Sequence, residues 1–241
     1  MPNHISNLVR VQGKESDVQK FLTKVIGKDK DWNGEEVDTF DFNRIIPMPV
    51  ELDLKTESSE VIYFIEGTKP FPDWAESDPE KKVQFLKEVE LYKPNMAKYG
   101  AYTWYGWRRE HWGTKWNSYD FFWVDEGSTD EDGNFTVSFM FNTAWSTPYG
   151  IWEAVAVQYP DLEIDVVYAD EDTGYNAGRF HLIDGCDYEY ETKGGSDEAM
   201  ECYFETHPGS EEFWVKNEDG EWVWAEDEDE DEEEDDESPT E

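Results

Sequence analysis

The chain has 241 residues, a formal net charge of -39 and an aromatic content of 16%. Binding to nucleic acids or anionic membranes requires lysine and arginine on the contact surface, so this charge argues against both classes of partner. The aromatic content is too high for a disordered acidic protein and predicts a packed core.

Two cysteines, Cys186 and Cys202, are too few for a disulfide framework or a four-ligand zinc site. The first residues carry neither a basic nor an apolar leader segment, and no stretch approaches 18 consecutive apolar residues. We therefore expect a soluble, unexported protein without a membrane partner, a cofactor or a metal site.

The first predicted elements are a strand and a helix. Residues 5–12 are rich in branched apolar side chains and predict a strand that ends at a glycine. Ser16 then precedes an apolar stripe with helical spacing, formed by Val18, Phe21, Leu22 and Val25. Residues 28–36 are polar and predict a loop, whereas residues 39–46 alternate before a Pro-Met-Pro turn and predict a short strand.

Residues 53–117 differ from the segments around them and predict an insertion. Their clearest element is a helix that starts at Asp78-Pro79 and carries an apolar stripe toward Pro94. The stripe consists of Val83, Leu86, Val89 and either Leu91 or Tyr92.

After the insertion, residues 119–124 and 135–141 predict an antiparallel hairpin. A helix follows, for which Thr147 is the expected cap and Pro148 the first residue, and residues 162–168 predict another strand. The order strand, helix, two strands, helix, strand is that of the split βαβ motif. We therefore predict an α+β fold, a ferredoxin-like sandwich over residues 1–180.

Beyond residue 180, five further strand-like segments, the last two forming a hairpin, predict an acidic β extension of the same sheet over residues 181–225. They are residues 179–184, residues 187–192, residues 200–206 and a hairpin of residues 213–215 with 222–224. Residues 226–237 are all acidic, which predicts a disordered tail over residues 226–241.

Four ordered segments resemble the YubB ferredoxin-like family found in phages and plasmids. They are Met1-Pro2-Asn3, Phe42-Asn43-Arg44-Ile45-Ile46-Pro47-Met48-Pro49, Trp112-Gly113-Thr114-Lys115-Trp116 and Thr143-Ala144-Trp145-Ser146. The resemblance covers roughly residues 1–180. It implies a ferredoxin-like domain from a mobile element, and no catalytic residue can be carried over from the family. The chain departs from the family in its insertion, in its acidic extension and in Thr147, where the family usually has a second proline.

A run of tryptophans with nearby cations is one candidate site. An anion-binding pocket there would use Arg108, Arg109, His111, Trp112, Lys115, Trp116 and Trp145. The simpler interpretation is that these tryptophans anchor a loop to the sheet. Ser146 and Thr147 offer hydroxyls near a helix start, and capping is the favoured interpretation for both.

The second candidate site is acidic. Residues 1–115 carry 17 basic and 20 acidic groups, whereas residues 116–241 carry 3 and 39. These carboxylates either serve solubility alone or imitate the phosphates of a duplex. The second interpretation predicts a partner-binding surface formed by Asp170, Glu171, Asp172, Asp187, Glu189, Glu191, Glu198, Glu201, Glu205, Glu211 and Glu212.

No recognisable catalytic, nucleotide-binding or metal-binding motif is present, and the acidic turns lack the spacing of a calcium loop. We expect a non-enzymatic inhibitor from a mobile element that binds a basic, nucleic-acid-binding or defence-related host protein in the bacterial cytoplasm. The alternatives are a ligand-binding or catalytic domain with a Trp/Arg/Lys-lined pocket, and a virion accessory protein. The sequence leaves the oligomeric state open.

Overall fold

The computed structural model describes residues 2–30, 33–54, 58–131 and 133–225. Its strands are β1 (His4–Gly13), β2 (Ile26–Lys30), β3 (Glu36–Phe40), β4 (Tyr119–Thr129), β5 (Phe135–Ala144), β6 (Glu163–Asp170), β7 (Gly178–Ile183), β8 (Cys186–Glu191), β9 (Trp214–Lys216) and β10 (Trp222–Trp224). Its α-helices are α1 (Glu15–Val25), α2 (Ser59–Ile65), α3 (Asp73–Glu76), α4 (Pro79–Tyr99), α5 (Trp104–His111), α6 (Tyr149–Gln158) and α7 (Asp197–Thr206).

A six-stranded sheet with the order β4-β5-β1-β6-β7-β8 forms the centre of the molecule. All five neighbouring pairs are antiparallel. Successive residues of a strand face opposite sides, so the buried positions of β1 alternate. Ile5, Val9 and Val11 of β1 are fully buried and pack in one core with α1 and α6. The molecule is therefore a mixed α+β protein built on a large antiparallel sheet.

The opposite face of the sheet is only partly covered. Helix α7 lies over it, and a second small core forms from Val167, Ala169, Ala177, Ala199 and Cys202. The other end of this face carries Arg10, which is exposed. We refer to this uncovered part as the open face.

The hairpin of β2 and β3 lies where the sequence predicted a loop over residues 28–36. These strands form a separate two-stranded sheet, and Phe40 at its end is buried between other aromatic rings of the main core. Most residues of β2 are polar and exposed, so the segment has no apolar alternation. The strand forms because its backbone N–H and C=O groups pair with those of β3, although most of its side chains are exposed.

The insertion has its own small core of Val61, Ala75, Phe85, Val89 and Tyr92. Asp78 caps α4 by accepting hydrogen bonds from the two N–H groups of Glu80 and Lys81 (3.0 and 3.3 Å), as its position before Pro79 suggested. Helix α4 continues through Pro94 to Tyr99, five residues beyond its expected end.

The predicted β extension after residue 180 is only partly a continuation of the main sheet. Strands β7 and β8 belong to that sheet, whereas β9 and β10 form a separate hairpin. The strand predicted at residues 200–206 is wrong, because this segment belongs to helix α7. Ala199, Cys202 and Thr206 are buried at helical spacing, and Ser196 caps the helix through the Ala199 N–H. The predicted disordered tail lies outside the described residues.

Among the described residues, every helix is too short or too polar to cross a lipid bilayer.

Candidate functional site

The four segments that carry the family resemblance contact one another. The Trp145 N–H donates to the Asn3 carbonyl (3.0 Å), which joins the first segment to the last. The Thr114 hydroxyl donates to the Ala144 carbonyl (2.8 Å) and joins the third to the last. The indole N–H of Trp112, which is fully buried, donates to the carbonyl of Ile46 in the second segment (3.0 Å). These bonds use backbone carbonyls throughout, so they hold the loops in place rather than present free groups.

The sequence prediction that Ser146 and Thr147 cap the following helix is wrong. Helix α6 begins after Pro148 without any side-chain cap. The Ser146 hydroxyl donates instead to the Gly113 carbonyl. The Thr147 hydroxyl donates to the side-chain carbonyl of Asn7 (2.7 Å). Both hydroxyls therefore serve long-range contacts.

Asn7 is the centre of a buried polar network. Its side-chain amide donates to the Ile5 carbonyl (3.0 Å) and to the Thr143 hydroxyl (3.1 Å). The indole N–H of Trp152 donates to the Thr147 hydroxyl (3.0 Å), which itself bonds Asn7. All these hydrogen-bonding atoms face one another in the core, so the network ties β1 and β5 to the start of α6.

The cations of the predicted anion pocket lie over aromatic rings. The Lys115 ammonium is 4.7 Å from the ring centre of Trp116 and 4.6 Å from that of Trp145. The Arg108 guanidinium lies 5.1 Å and 4.8 Å from the rings of Trp104 and Trp112. Each cation is thus held by two π-faces, which attract it electrostatically.

Arg109 and His111, two further residues predicted to line the anion pocket, also contact aromatic rings. The Arg109 guanidinium lies over Tyr105, and the ring of His111 stacks on Trp107 with 4.2 Å between ring centres. Burial lowers the pKa of Arg108, and its Nε atom has no hydrogen-bond partner among the described residues. The structure therefore brings these residues together as a packed aromatic–cation layer, and the described contacts do not include a common anion-binding geometry.

Strand β8 carries a row of carboxylates. It is an edge strand of the sheet, and all six of its residues are exposed. Asp187, Glu189 and Glu191 share one face, at a spacing of about 6.8 Å between alternate residues. Burial raises the pKa of Glu189, and the carboxylates of Glu191, Asp187 and Glu153 raise it further. The carboxylates of this row therefore repel one another.

Helix α7 carries a second row. Glu198, Glu201 and Glu205 are exposed and lie three and four residues apart, so they occupy one side of the helix. Glu205 forms a bidentate ion pair with Arg179, whereas Glu198 and Glu201 have no ion pair with a described residue. Asp187, Glu189 and Glu191 lie opposite the buried residues of β7, whereas α7 covers the other side, so the two rows are on opposite faces of the sheet. A cleft of about 290 Å³ beside α7 is lined by Glu191, Glu198, Glu201, Arg179, Lys193, Tyr190 and Thr192.

Asp170 is the exception among the acidic residues predicted to bind a partner. It is only 5% exposed, and its carboxylate accepts hydrogen bonds from the side-chain amides of Asn3 (3.0 Å) and Asn176 (2.9 Å). It also accepts from the Asp172 N–H (3.0 Å). Asp170 is therefore a buried structural acceptor that fixes the end of β6, and it does not belong to the exposed acidic surface.

The open face holds a cluster that the sequence did not reveal. Arg10, Asp165 and His181 lie at successive cross-strand positions of β1, β6 and β7. The Nδ1 atom of His181 lies 2.7 Å from Asp165 Oδ1, and ligand atoms of these two residues and Glu163 all lie within 4.8 Å of one another. One imidazole and two carboxylates suit a divalent cation such as Zn²⁺ or Mn²⁺.

This cluster borders a cleft of about 360 Å³ on the open face, whose walls include Leu8, Arg10, Val124 and Tyr190. Asp165 and His181 are 16 positions apart in the sequence, and the pairing of β6 with β7 brings them together. No local motif signals such a contact, because the register between the two strands determines which residues meet.

Comparison with known proteins connects this fold to one family. A family profile described as "Ferredoxin-like domain in Api92-like protein" matches residues 111–240. The crystal structure of a protein api92 from Yersinia pseudotuberculosis aligns with 80% of this chain and 99% of that chain, at 11% sequence identity and a TM-score of 0.40. No curated protein matches the sequence. Because the profile covers more than half of the chain, the protein belongs to the Api92-like family that carries this ferredoxin-like domain.

Proposed function

We propose that this protein is a non-enzymatic inhibitor that binds a basic, nucleic-acid-binding host protein through its acidic surface. The observation that carries the proposal is the pair of exposed carboxylate rows on β8 and α7, of which Glu205 alone pairs with a cation among the described residues. Residues 116–241 contain only 3 basic groups against 39 acidic ones. Such a surface attracts a positively charged groove and steers it into contact.

The electrostatics of β8 support binding rather than solubility alone. Burial, followed by repulsion from neighbouring carboxylates, raises the pKa of Glu189, so keeping these groups charged in the folded protein is unfavourable. A cationic partner relieves this repulsion on binding. The spacing of about 6.8 Å along the row is twice the axial spacing of phosphates along one DNA strand, about 3.4 Å. The row is thus a sparse imitation of a phosphate backbone.

Exposed aromatic residues beside the carboxylates support a protein partner. Tyr188 and Tyr190 lie on the other face of β8 and are 50% and 63% exposed. Trp224, in the C-terminal hairpin, is 60% exposed and stacks on Phe213. Tyrosine and tryptophan are enriched among the residues that contribute most to protein–protein binding. A partner surface rich in arginine would complement both the carboxylates and the rings.

The resemblance to the YubB family is the basis for proposing a mobile-element origin. The four segments that resemble the YubB family lie in contact with one another, as expected of a shared structural unit. We also infer a split βαβ arrangement, because β1 and β4 are both antiparallel to β5, which lies between them, and α1 follows β1. A phage or plasmid protein acting in the bacterial cytoplasm meets host defence proteins with basic, DNA-binding grooves.

The proposal is tested by capturing bacterial lysate proteins on the immobilised full chain. Charge reversal at Glu189, Glu191, Glu198 and Glu201 together should abolish capture of the basic partner, whereas Lys115→Ala should leave it unchanged. Raising salt from about 50 to about 500 mM should release the partner, because screening shortens the reach of surface charges.

The purified partner is then assayed for DNA binding with and without this protein. Inhibition is expected, because both ligands occupy the same groove. Capture that is indifferent to salt, or a ternary complex of DNA, partner and this protein, would overturn the proposal.

A second candidate function is ligand binding on the open face. The cleft of about 360 Å³ beside Asp165 and His181 favours it, since small-molecule sites are concave and combine apolar walls with a few polar groups. The test is a calorimetric titration with Zn²⁺ and Mn²⁺. His181→Ala should remove any binding to this cleft while leaving the capture of the basic partner intact.

A further inference from the structure

Helix α4 presents apolar side chains on two sides. Phe85, Val89 and Tyr92 face the core of the insertion and are at most 5% exposed. Val83, Leu86 and Leu91 lie on the outer side and are 52%, 42% and 53% exposed. The sequence stripe had placed Val83 and Leu86 together with Val89, but the fold buries only part of it. The outer side has no cover among the described residues.

The outer patch also contains one cation and one anion. Lys87 and Glu90 line the same shallow surface as Val83, Leu86 and Leu91, and the rest of that surface is almost wholly apolar. Neither Lys87 nor Glu90 forms an ion pair with a described residue. An interaction partner must therefore offer apolar groups together with one acid and one base at matching positions.

We propose that a second copy of this chain covers the patch, with the two α4 helices antiparallel. A two-fold axis midway between residues 88 and 89 places Lys87 level with Glu90 of the second copy, and Leu86 level with its Leu91. The symmetry repeats each pair, so the two charged residues and the two leucines of one patch meet their complements on the other. The patch is thus complementary to itself.

The charge distribution favours this occupant. Helix α4 contains five lysines and three glutamates, in a protein whose net charge is -39. Residues 1–115 are nearly neutral, with 17 basic and 20 acidic groups, so two copies approach with the least repulsion on this side. The acidic tail of residues 226–241 is attracted to the lysines, but it has no apolar side chain of appreciable size with which to cover the leucines.

The expected dimer is weak. One pair of helices 21 residues long, about 31 Å, buries less than the roughly 1,200 Å² at which stable interfaces begin. Its dissociation constant therefore falls in the micromolar range or above. Moderate salt, about 300 mM, reduces the general repulsion between the acidic halves and favours detection.

Sedimentation velocity of the full chain over a range of concentrations tests the proposal. The wild-type protein should shift toward a dimer as its concentration rises. Lys87→Glu should weaken this association at least tenfold, because it creates two like-charged pairs across the axis. The double variant Lys87→Glu with Glu90→Lys should restore it, since each charge again meets its opposite.

Lys24→Glu, on the exposed side of α1, is the matched control. It changes the net charge by the same amount and should leave self-association unchanged. Recovery in the double variant excludes misfolding as the cause of the loss. A chain that stays monomeric at all concentrations, or a Lys87→Glu variant that dimerises normally, would overturn the proposal, and so would loss of dimerisation on deleting residues 226–241. Because the charge-reversed monomer retains both acidic rows, it should still capture the basic partner.

Discussion

Asn7 is a buried polar residue that connects separate parts of the main core. It is fully buried, and its amide and carbonyl groups connect β1 to Thr143 and Thr147. The alternation of Ile5, Val9 and Val11 places position 7 on the core face, so its burial follows from the sequence. Its partners Thr143 and Thr147 do not, because they lie more than 130 residues away and depend on the register of β1 with β5.

Replacing Asn7 by Ala should lower the free energy of unfolding by about 2–4 kcal/mol, because Thr147 and Thr143 lose partners in a site that water does not reach. Urea denaturation monitored by tryptophan fluorescence measures the change. Arg10→Ala, at an exposed position of the same strand, is the control and should change stability by less than about 0.5 kcal/mol. Equal effects of the two substitutions would contradict the structural role of the network.

Glu189 and Glu198 should respond to pH in opposite directions. The pKa of Glu189 is raised, so its charged form is less favourable in the folded protein than in the unfolded chain. Stability from this group is present below pH 4.5 and is lost as pH rises through the elevated pKa. Glu189→Gln should therefore raise the thermal midpoint at pH 7 and have no effect near pH 3.5.

The pKa of Glu198 is lowered by its own backbone N–H and by Ser196 at the start of α7. Its stabilising effect is present above pH 4.5 and is lost as pH falls through the lowered pKa. Glu198→Gln should thus lower the midpoint at pH 7. Differential scanning calorimetry of both variants across pH 3.5–7 checks the signs, and a shift in the same direction for both would be inconsistent with these environments.

At the scale of elements, the long apolar strands and amphipathic helices follow from the sequence, whereas two segments do not. Residues 26–30 form β2 without any apolar alternation. Residues 197–206 form α7, although residues 200–206, which include the aromatic residues Tyr203 and Phe204, were predicted to form a strand. The small and polar residues Ala199, Cys202 and Thr206 have the spacing of a helix face, but this signal is weaker than the aromatic content that favours a strand. Both outcomes depend on neighbouring elements that supply pairing or burial.

Two glycines on adjacent helices provide a test of how α5 and α6 pack. A Cβ at Gly150, in the first turn of α6, would collide with the His111 carbonyl at the end of α5. Gly150→Ala should therefore destabilise the protein by about 2–3 kcal/mol. At Gly106 within α5, the nearest atom would be 3.9 Å away, so Gly106→Ala should stabilise the protein by about 0.5–1 kcal/mol. Chemical denaturation of both variants should give opposite signs.

At the scale of the whole molecule, charge opposes compactness. Residues 116–225 carry 26 acidic and 3 basic groups within the fold, and the described ion pairs neutralise only a few of them. The acidic character follows directly from composition. Which carboxylates form exposed rows and which, like Asp170, are buried acceptors does not, because that depends on the register of the sheet and the position of α7.

The thermal midpoint should rise with salt concentration. The Debye length falls from about 30 Å at 0.01 M to about 3 Å at 1 M, so salt reduces the repulsion between the carboxylates. Circular dichroism melts in sodium chloride and in choline chloride check this, the second salt serving as a control for specific binding of sodium ions. A midpoint that is flat or falls in both salts would contradict the expectation. Partner binding should show the reverse dependence and weaken with salt.

The central position of β1 has a consequence for synthesis on the ribosome. β1 is translated before the other strands of the six-stranded sheet, yet one of its two neighbours begins about 120 residues later and the other later still. At roughly 5–20 residues per second, β1 waits for roughly 6–25 s before its first partner strand is translated. During this interval Ile5, Val9 and Val11 have no sheet to join. Nascent chains that stop before residue 135 should therefore leave β1 accessible to chaperones and proteases.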